Sequence, residues 1–221
     1  ADDGRRPLRL PAGTGCDERS YGGGGVTVRV SCRSVEGVTA AVLRVSGDIA
    51  PGDDRAVKQA LLSVPEGPVF VSFSSSGGDL QAGIEIGRAI WFREAATLVE
   101  DTVCASACAL AWLAGRPRYM VPDASIGFHA PWRQIANRPE ASTAGSAVVG
   151  GYLRDIGLTS AAIGYINEPG PEEMRWLTAG DADSLNITVR PWGGDAALPS
   201  APPDAPAPSG AEARADGATP R

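Results

Sequence analysis

The chain has 221 residues, enough for one core-bearing domain with tails and too few for two full-sized domains. Its formal charge of −6 and 43% hydrophobic content describe a globular, acidic protein with no phosphate-neutralising surface, so no nucleic-acid partner is expected. Arginine supplies nearly all positive charge. Lys58 is the only lysine and His129 the only histidine, which limits the side chains that could act as a base.

Residues 1–25 are rich in Gly, Arg and Asp, end in Gly22-Gly23-Gly24-Gly25, and read as an irregular arm. Val26–Cys32 alternates apolar and polar residues, the period of a half-buried strand, and Val38–Val45 continues as a second strand up to the Gly47-Asp48 break. Asp53 or Asp54 can cap a helix running to Ser63. Val69–Phe73 reads as a buried strand by its β-branched and aromatic content. After the turn Ser74-Ser75-Ser76-Gly77-Gly78-Asp79, Leu80–Arg93 carries Leu80, Ile84, Ile86, Ile90 and Trp91 at helical spacing. Thr97–Glu100 reads as a strand, Ala105–Ala114 as a helix, and Arg118–Val121 and Ser125–His129 as strands. This alternation is the signature of βαβ crossovers and a largely parallel sheet, hence an α/β fold.

Beyond Pro131 the pattern changes. Residues 141–156 and 159–166 read as two helices joined at Gly157, an appendage outside the sheet, and Arg175–Leu177 and Ile187–Val189 close the globular part. Residues 26–192 thus form one expected domain, followed by a Pro/Ala-rich tail over 193–221 that is expected to be disordered. The most apolar run, Val103–Gly115, falls short of the roughly 20 residues of a spanning helix, so no membrane span is expected. The Ala1-Asp2-Asp3 start reads like a mature chain after signal-peptide removal, so the protein is expected to be exported, with the periplasm as its location. Four cysteines fall in two pairs along the chain, Cys16 with Cys32 and Cys104 with Cys108. An even count fits disulfides in an oxidising compartment, against the alternative of buried thiols, and leaves three pairings open.

Three features could carry chemistry. The Gly77-Gly78 turn lies where a strand hands over to a helix, a common ligand position at the carboxyl end of a parallel strand, where backbone N–H groups can face a cleft. Many such turns only reverse the chain. Ser106, among small residues at a strand-to-helix junction, reads either as an N-cap or as a nucleophile whose oxyanion the neighbouring amides would stabilise. His129 ends a strand 23 residues later (129 − 106), about the length needed to return to the same sheet edge. A serine nucleophile needs a base that titrates near neutrality, and histidine is the side-chain type that does so. Cys104 and Cys108 flank the serine. They could form a small disulfide if residue 104 lies outside the helix, since residues four apart on an ideal helix are poorly placed for that bond. A metal site built on them with His129 has too few ligands, and no metal is expected.

Four segments in order, SSSGGDLQAG (74–83), CASACALAWLAG (104–115), RYMVPDASIGFHAP (118–131) and MRWLTAGDADSLNI (174–187), resemble the proteolytic subunit of the Clp protease and the wider ClpP/crotonase superfamily. The likeness is closer still to small exported ClpP-like proteins of bacteria, and it extends over residues 38–190. It implies a ClpP/crotonase-like ββα spiral with a helical handle over 141–167 that mediates contacts in a homo-oligomer. It also implies Ser106 as nucleophile, His129 as general base, an oxyanion hole from the backbone N–H groups of Gly78 and Ala107, and no cofactor. The activity so implied is a serine-type endopeptidase acting on peptides or unfolded protein, with no sign in the sequence of an ATPase-docking device. The family's triad aspartate falls at Met174 in this chain. Glu173 or Glu172, beside it, could orient the imidazole after a small shift, as other triads use glutamate. Asp155 is a poorer stand-in, and the two glutamates could equally just begin a turn after Pro171.

Two other functions fit parts of the pattern. A crotonase-type enzyme acting on an acyl thioester would need only the oxyanion hole, leaving Ser106 and His129 surplus. A non-catalytic binding or scaffolding protein would explain Met174 at the acid position. A lysine base is disfavoured, because Lys58 lies on an early helix.

Overall fold

The computed structural model describes residues 18–22, 24–35, 38–100 and 103–192. Cys16, most of the N-terminal arm and the tail over 193–221 lie outside them. The described part of the arm is not irregular throughout, because Arg19–Gly22 forms strand β1, paired antiparallel with β2 (Thr27–Val35). Strand β2 pairs antiparallel with β3 (Val38–Ser46), and there the chain leaves the sheet at Gly47 for α1 (Asp54–Ser63). Strand β4 (Val69–Ser74) lies parallel to β3, and α2 (Leu80–Phe92) leads to β5 (Ala96–Val99), parallel to β4. After β6 (Val103–Ala105) and α3 (Ala107–Trp112), β7 (Arg118–Met120) extends the sheet on β5. The result is a mixed α/β fold whose seven-stranded sheet is mostly parallel.

Alternation along the strands sorts side chains to the two faces. Ala41, Leu43 and Val45 of β3, with Val71 and Phe73 of β4, face the helices and pack with Val57, Ile84 and Ile90. Ala40, Val42 and Phe70 face the other side, where Phe70, Tyr119 and Trp192 form an aromatic cluster with centroid separations of 5.4–6.1 Å. Strand β4 is buried on both faces, Ser72 included, which is why it reads as apolar on both alternating sets of positions rather than on one.

Ser125–His129 was expected in the same sheet, but β8 (Ser125–Phe128) belongs to a second, three-stranded sheet, parallel to β6 and antiparallel to β11 (Arg175–Trp176). The cause is Ser75, one residue past β4. Its N–H donates to Val103 O and its carbonyl accepts from Ala105, both at 3.1 Å, so β6 peels away from the end of β4 and takes β8 with it. Between these strands and the helices that follow, β9 (Trp132–Ile135) and β10 (Arg138–Ala141) make a hairpin absent from the sequence reading. Its two turn residues, Ala136 and Asn137, have φ of 47° and 63°, the left-handed pair of a tight hairpin turn.

Helices α4 (Thr143–Asp155) and α5 (Ser160–Asn167) occupy the expected span, joined across Gly157 at φ 85°. They are not an appendage. Val149, Tyr152, Leu153, Ile156, Ala162 and Ile166 all belong to the main core. A six-residue helix α6 (Ala179–Ser184) then leads to β12 (Arg190–Pro191), which pairs parallel with β7 a few residues later than the expected Ile187–Val189 strand. No helix among the described residues is long and apolar enough to cross a membrane.

Candidate active site

Helix α3 begins two residues later than the sequence suggested, because Val103–Ala105 is drawn into the ladder with β8. Ser106 therefore lies between strand and helix, at φ 55° and ψ −125°, a combination that is costly for any residue with a Cβ. Its N–H donates to Gly127 O at 2.8 Å, and its hydroxyl makes no cap bond to α3. An N-cap serine sits in extended backbone with its oxygen on the first helical amides. Ser106 does neither, so the capping role is not the one it fills. Cys104, on β6, and Cys108, in the first turn of α3, are disulfide-bonded across it with a Cα separation of 5.3 Å. Cys32 is not a free thiol either, and Cys16, its expected partner, lies outside the described residues.

A helix of six residues has little intrinsic stability, and side chains from elsewhere hold this one. Thr97 Oγ1 donates to Trp112 O (2.7 Å), Arg118 Nε to Leu113 O (2.7 Å) and Tyr152 Oη to Leu110 O (2.9 Å), which satisfies carbonyls left over at the helix end. Burial pushes the Arg118 guanidinium down to about 10 and holds the Tyr152 hydroxyl well above the usual phenol range. Helix α2 meets α3 at its glycines. A Cβ on Gly83 would stand 2.8 Å from that of Ala107, and one on Gly87 would stand 1.9 Å from the Tyr152 hydroxyl. The two helices can approach only because those positions lack side chains.

The Gly77-Gly78 turn lies directly against this junction. A Cβ on Gly77 would be 2.6 Å from both Ala105 O and Ser106 Cβ, and one on Gly78 would be 2.1 Å from Ile49 O. Both glycines have positive φ, 108° and 135°. The Gly77 N–H is not free for a ligand, since it donates to Ser75 Oγ at 3.1 Å. The exposed Gly78 donates to no protein group among the described residues, and Ala107, as the first helical residue, has no intrahelical acceptor. Gly77→Ala is expected to cost about 3 kcal/mol from the clash and the left-handed backbone together. Thermal unfolding checks this, and a melting temperature equal to wild type would contradict the packing described.

His129 stands just past β8. Ala105 pairs with Gly127 on the adjacent parallel strand, so Ser106 and His129 are offset by one position across a ladder spacing of about 4.8 Å. The imidazole Nδ1 lies 2.9 Å from Ala130 O. A carbonyl oxygen only accepts, so this contact places the proton on Nδ1 and leaves Nε2 as the nitrogen with a lone pair. Among the described residues no hydrogen bond joins the imidazole to the Ser106 hydroxyl or to any carboxylate.

The acidic candidates lie elsewhere. Glu173 accepts from the Gly170 N–H at 3.2 Å, closing a turn after Gly170, while Glu172 and Asp155 are exposed. Met174 is the residue opposite His129: Arg175 pairs with Phe128 and Trp176 with Gly127, and the antiparallel register carried one step further sets Met174 against His129. Both Met174 and Trp176 close over Gly127, where a Cβ would stand 2.7 Å from each, and both remain exposed. Lys58 donates to Asp54 and Glu85 at 2.9 Å, and is held between α1 and α2.

The chain matches no family model and no curated protein. The chemistry of the site therefore rests on its own geometry. That geometry brings together Ser106, His129, Ala107 and the glycine turn, and leaves out Glu172, Glu173, Asp155 and Lys58. The Ala130 carbonyl went unnoticed in the sequence because a main-chain acceptor has no residue-type signature.

Proposed function

We propose that this protein is a serine hydrolase of the ClpP/crotonase type, an ATP-independent peptidase in which Ser106 attacks a carbonyl and His129 takes its proton. The observation that carries the reading is Ser106 itself, a non-glycine residue at φ 55° whose hydroxyl is not spent on capping, next to amides at Ala107 and Gly78 that have no acceptor among the described residues. Strain of this kind costs about 1–3 kcal/mol and clusters at functional sites. Nε2 of His129 carries the lone pair a general base needs, and serine–histidine contacts often tighten only when substrate is bound. In this reading the hydroxyl proton passes to Nε2 as the acyl-enzyme bond forms, then returns to the leaving amine. The oxyanion is met by the Gly78 and Ala107 N–H groups, and water then completes hydrolysis. The second small sheet against a larger, mostly parallel one, and the paired helices α4 and α5, are compatible with the spiral and handle of that superfamily. The Cys104–Cys108 bond suits an exported protein.

Labelling of the purified chain by a fluorophosphonate probe tests the reading. Wild type is expected to label, and Ser106→Ala is expected to remain folded and unlabelled. A folded wild type that fails to label would sink the proposal. One observation favours a second reading, a binding or scaffolding protein on the same fold: Met174, not a carboxylate, stands opposite His129. Absence of labelling would turn attention to that role.

A further inference from the structure

We propose that the Cys104–Cys108 disulfide is the latch that holds Ser106 in its reactive conformation, so that the hydrolase becomes active only when it folds oxidatively; this rests on the serine-hydrolase reading above. Residues 105–114 have the composition of a helix beginning at Ala105, and in that register Ser106 would be an ordinary helical residue with negative φ. The protein does otherwise. Strand β6 persists through Ala105, Ser106 turns at φ 55°, and helix starts only at Ala107. The disulfide supports that choice. Residues four apart on an ideal helix are poorly placed for the bond, so a bonded Cys104–Cys108 pair opposes extension of α3 back through Cys104 and favours the strand on the near side of Ser106. The bond ties a residue in the β6 ladder to the first turn of α3 and closes a loop of five residues, 104–108, with Ser106 at its centre.

Strained backbone persists only where its surroundings over-determine it. Upstream, Cys104 is fixed by pairing with Ile126 and by the bridge to Ser75. Downstream, α3 is fixed by Thr97, Arg118 and Tyr152 at its far end. Among the described residues the disulfide is the one covalent cross-link between the two sides of the serine. Closing it converts two Cys S–H groups to one S–S bond. Two protons and two electrons pass to a disulfide-class oxidant, which leaves as two thiols. Both cysteines are fully buried, so the latch is set during folding and is shielded from reductant afterwards. Newly made, reduced chain would carry every residue of the site and remain silent.

The test uses the full chain with Cys16→Ser and Cys32→Ser, which leaves this bond alone. The protein is refolded either with oxidised glutathione or with dithiothreitol, thiols are counted, and fluorophosphonate saturation kinetics are measured beside circular dichroism. The oxidised form is expected to label. The reduced form should keep its dichroism spectrum and its half-saturating probe concentration while its maximal labelling rate falls about 100-fold, the scale of losing one transition-state contact. Reoxidation should restore the rate. Equal rates in the two folded forms would overturn the latch, as would unfolding on reduction, which would make the bond a staple of the whole fold. Failure of the oxidised form to label would strike the serine-hydrolase reading instead.

Discussion

Removing the imidazole in His129→Ala is expected to slow covalent labelling of Ser106 on the order of 10,000-fold, whereas Glu172→Gln and Glu173→Gln, singly or together, leave the rate within about twofold. The asymmetry follows from what each group touches. The Glu173 carboxylate is committed to the Gly170 N–H, and Glu172 is exposed. The Ala130 carbonyl, 2.9 Å from Nδ1, does the part of an acid's work that concerns the tautomer, keeping the proton off Nε2. It does not do the other part. A neutral carbonyl stabilises the imidazolium less than a carboxylate would, since hydrogen bonds to an ionised partner are about twice as strong.

The same argument makes Met174→Asp an activating change. The backbone register sets position 174 opposite His129, so an aspartate there would offer the missing charge, and a gain of 1.4 kcal/mol corresponds to about a tenfold faster reaction. The measurement is the labelling rate of wild type and the five variants under one set of conditions. If Glu173→Gln falls as far as His129→Ala, the glutamate must swing onto the imidazole, and the carbonyl account is wrong. If His129→Ala labels like wild type, the imidazole is not the base.

Local patterns in the chain were enough to find β2 to β5, β7, β8 and helices α1 to α5, because each has a signature within a few positions, but not β1, β6, the β9–β10 hairpin or α6. Val69–Phe73 is apolar except at Ser72, Leu80–Arg93 keeps a helical period, Ser106 interrupts the apolar run Val103–Gly115, and His129 follows the strand-like Ser125–Phe128. What could not be read is whatever depends on pairing between distant residues. The transfer of Ser125–Phe128 to a second sheet is decided by Ser75 hydrogen-bonding to Val103 and Ala105, some thirty residues away. The late start of α3 depends on that ladder and on a disulfide, and both override the local helix preference of Ala-Ser-Ala. Tyr152 looked like part of an outlying helix because nothing in its own neighbourhood announces that Gly87 and the Leu110 carbonyl form its berth. The glycines at 22–25 read as slack chain, although two of them are needed for close contacts.

Those contacts carry the largest stability effect we expect outside the site. Asp53→Ala is expected to destabilise the protein by about 3 kcal/mol, since each donor left unsatisfied on burial costs about 1–3 kcal/mol and solvent can compensate in part. Asp53 stands at the N-cap position of α1 but makes no cap bond to it. Its Oδ2 instead accepts three backbone N–H groups, from Gly25 (3.0 Å), Val26 (3.0 Å) and Ala50 (2.7 Å). Gly24 and Gly25 permit this, because a Cβ on the first would stand 2.2 Å from Asp53 Oδ1 and one on the second 1.9 Å from Asp48 O. The clamp fixes the segment at Ile49-Ala50, and that segment holds the glycine turn: Ile49 N–H donates to Gly77 O (2.7 Å), and Ile49 O accepts from Asp79 (2.8 Å). A loss of 3 kcal/mol lowers the melting temperature of a domain this size by about 6–12 °C. Asp53→Asn, which keeps the shape and one acceptor oxygen, should fall between alanine and wild type. Because the Ile49 segment is what the Gly77-Gly78 turn leans on, Asp53→Ala should also slow Ser106 labelling at temperatures where it is fully folded. A melting shift under 2 °C, or labelling at the wild-type rate despite a large shift, would separate the clamp from the site and show the two to be independent.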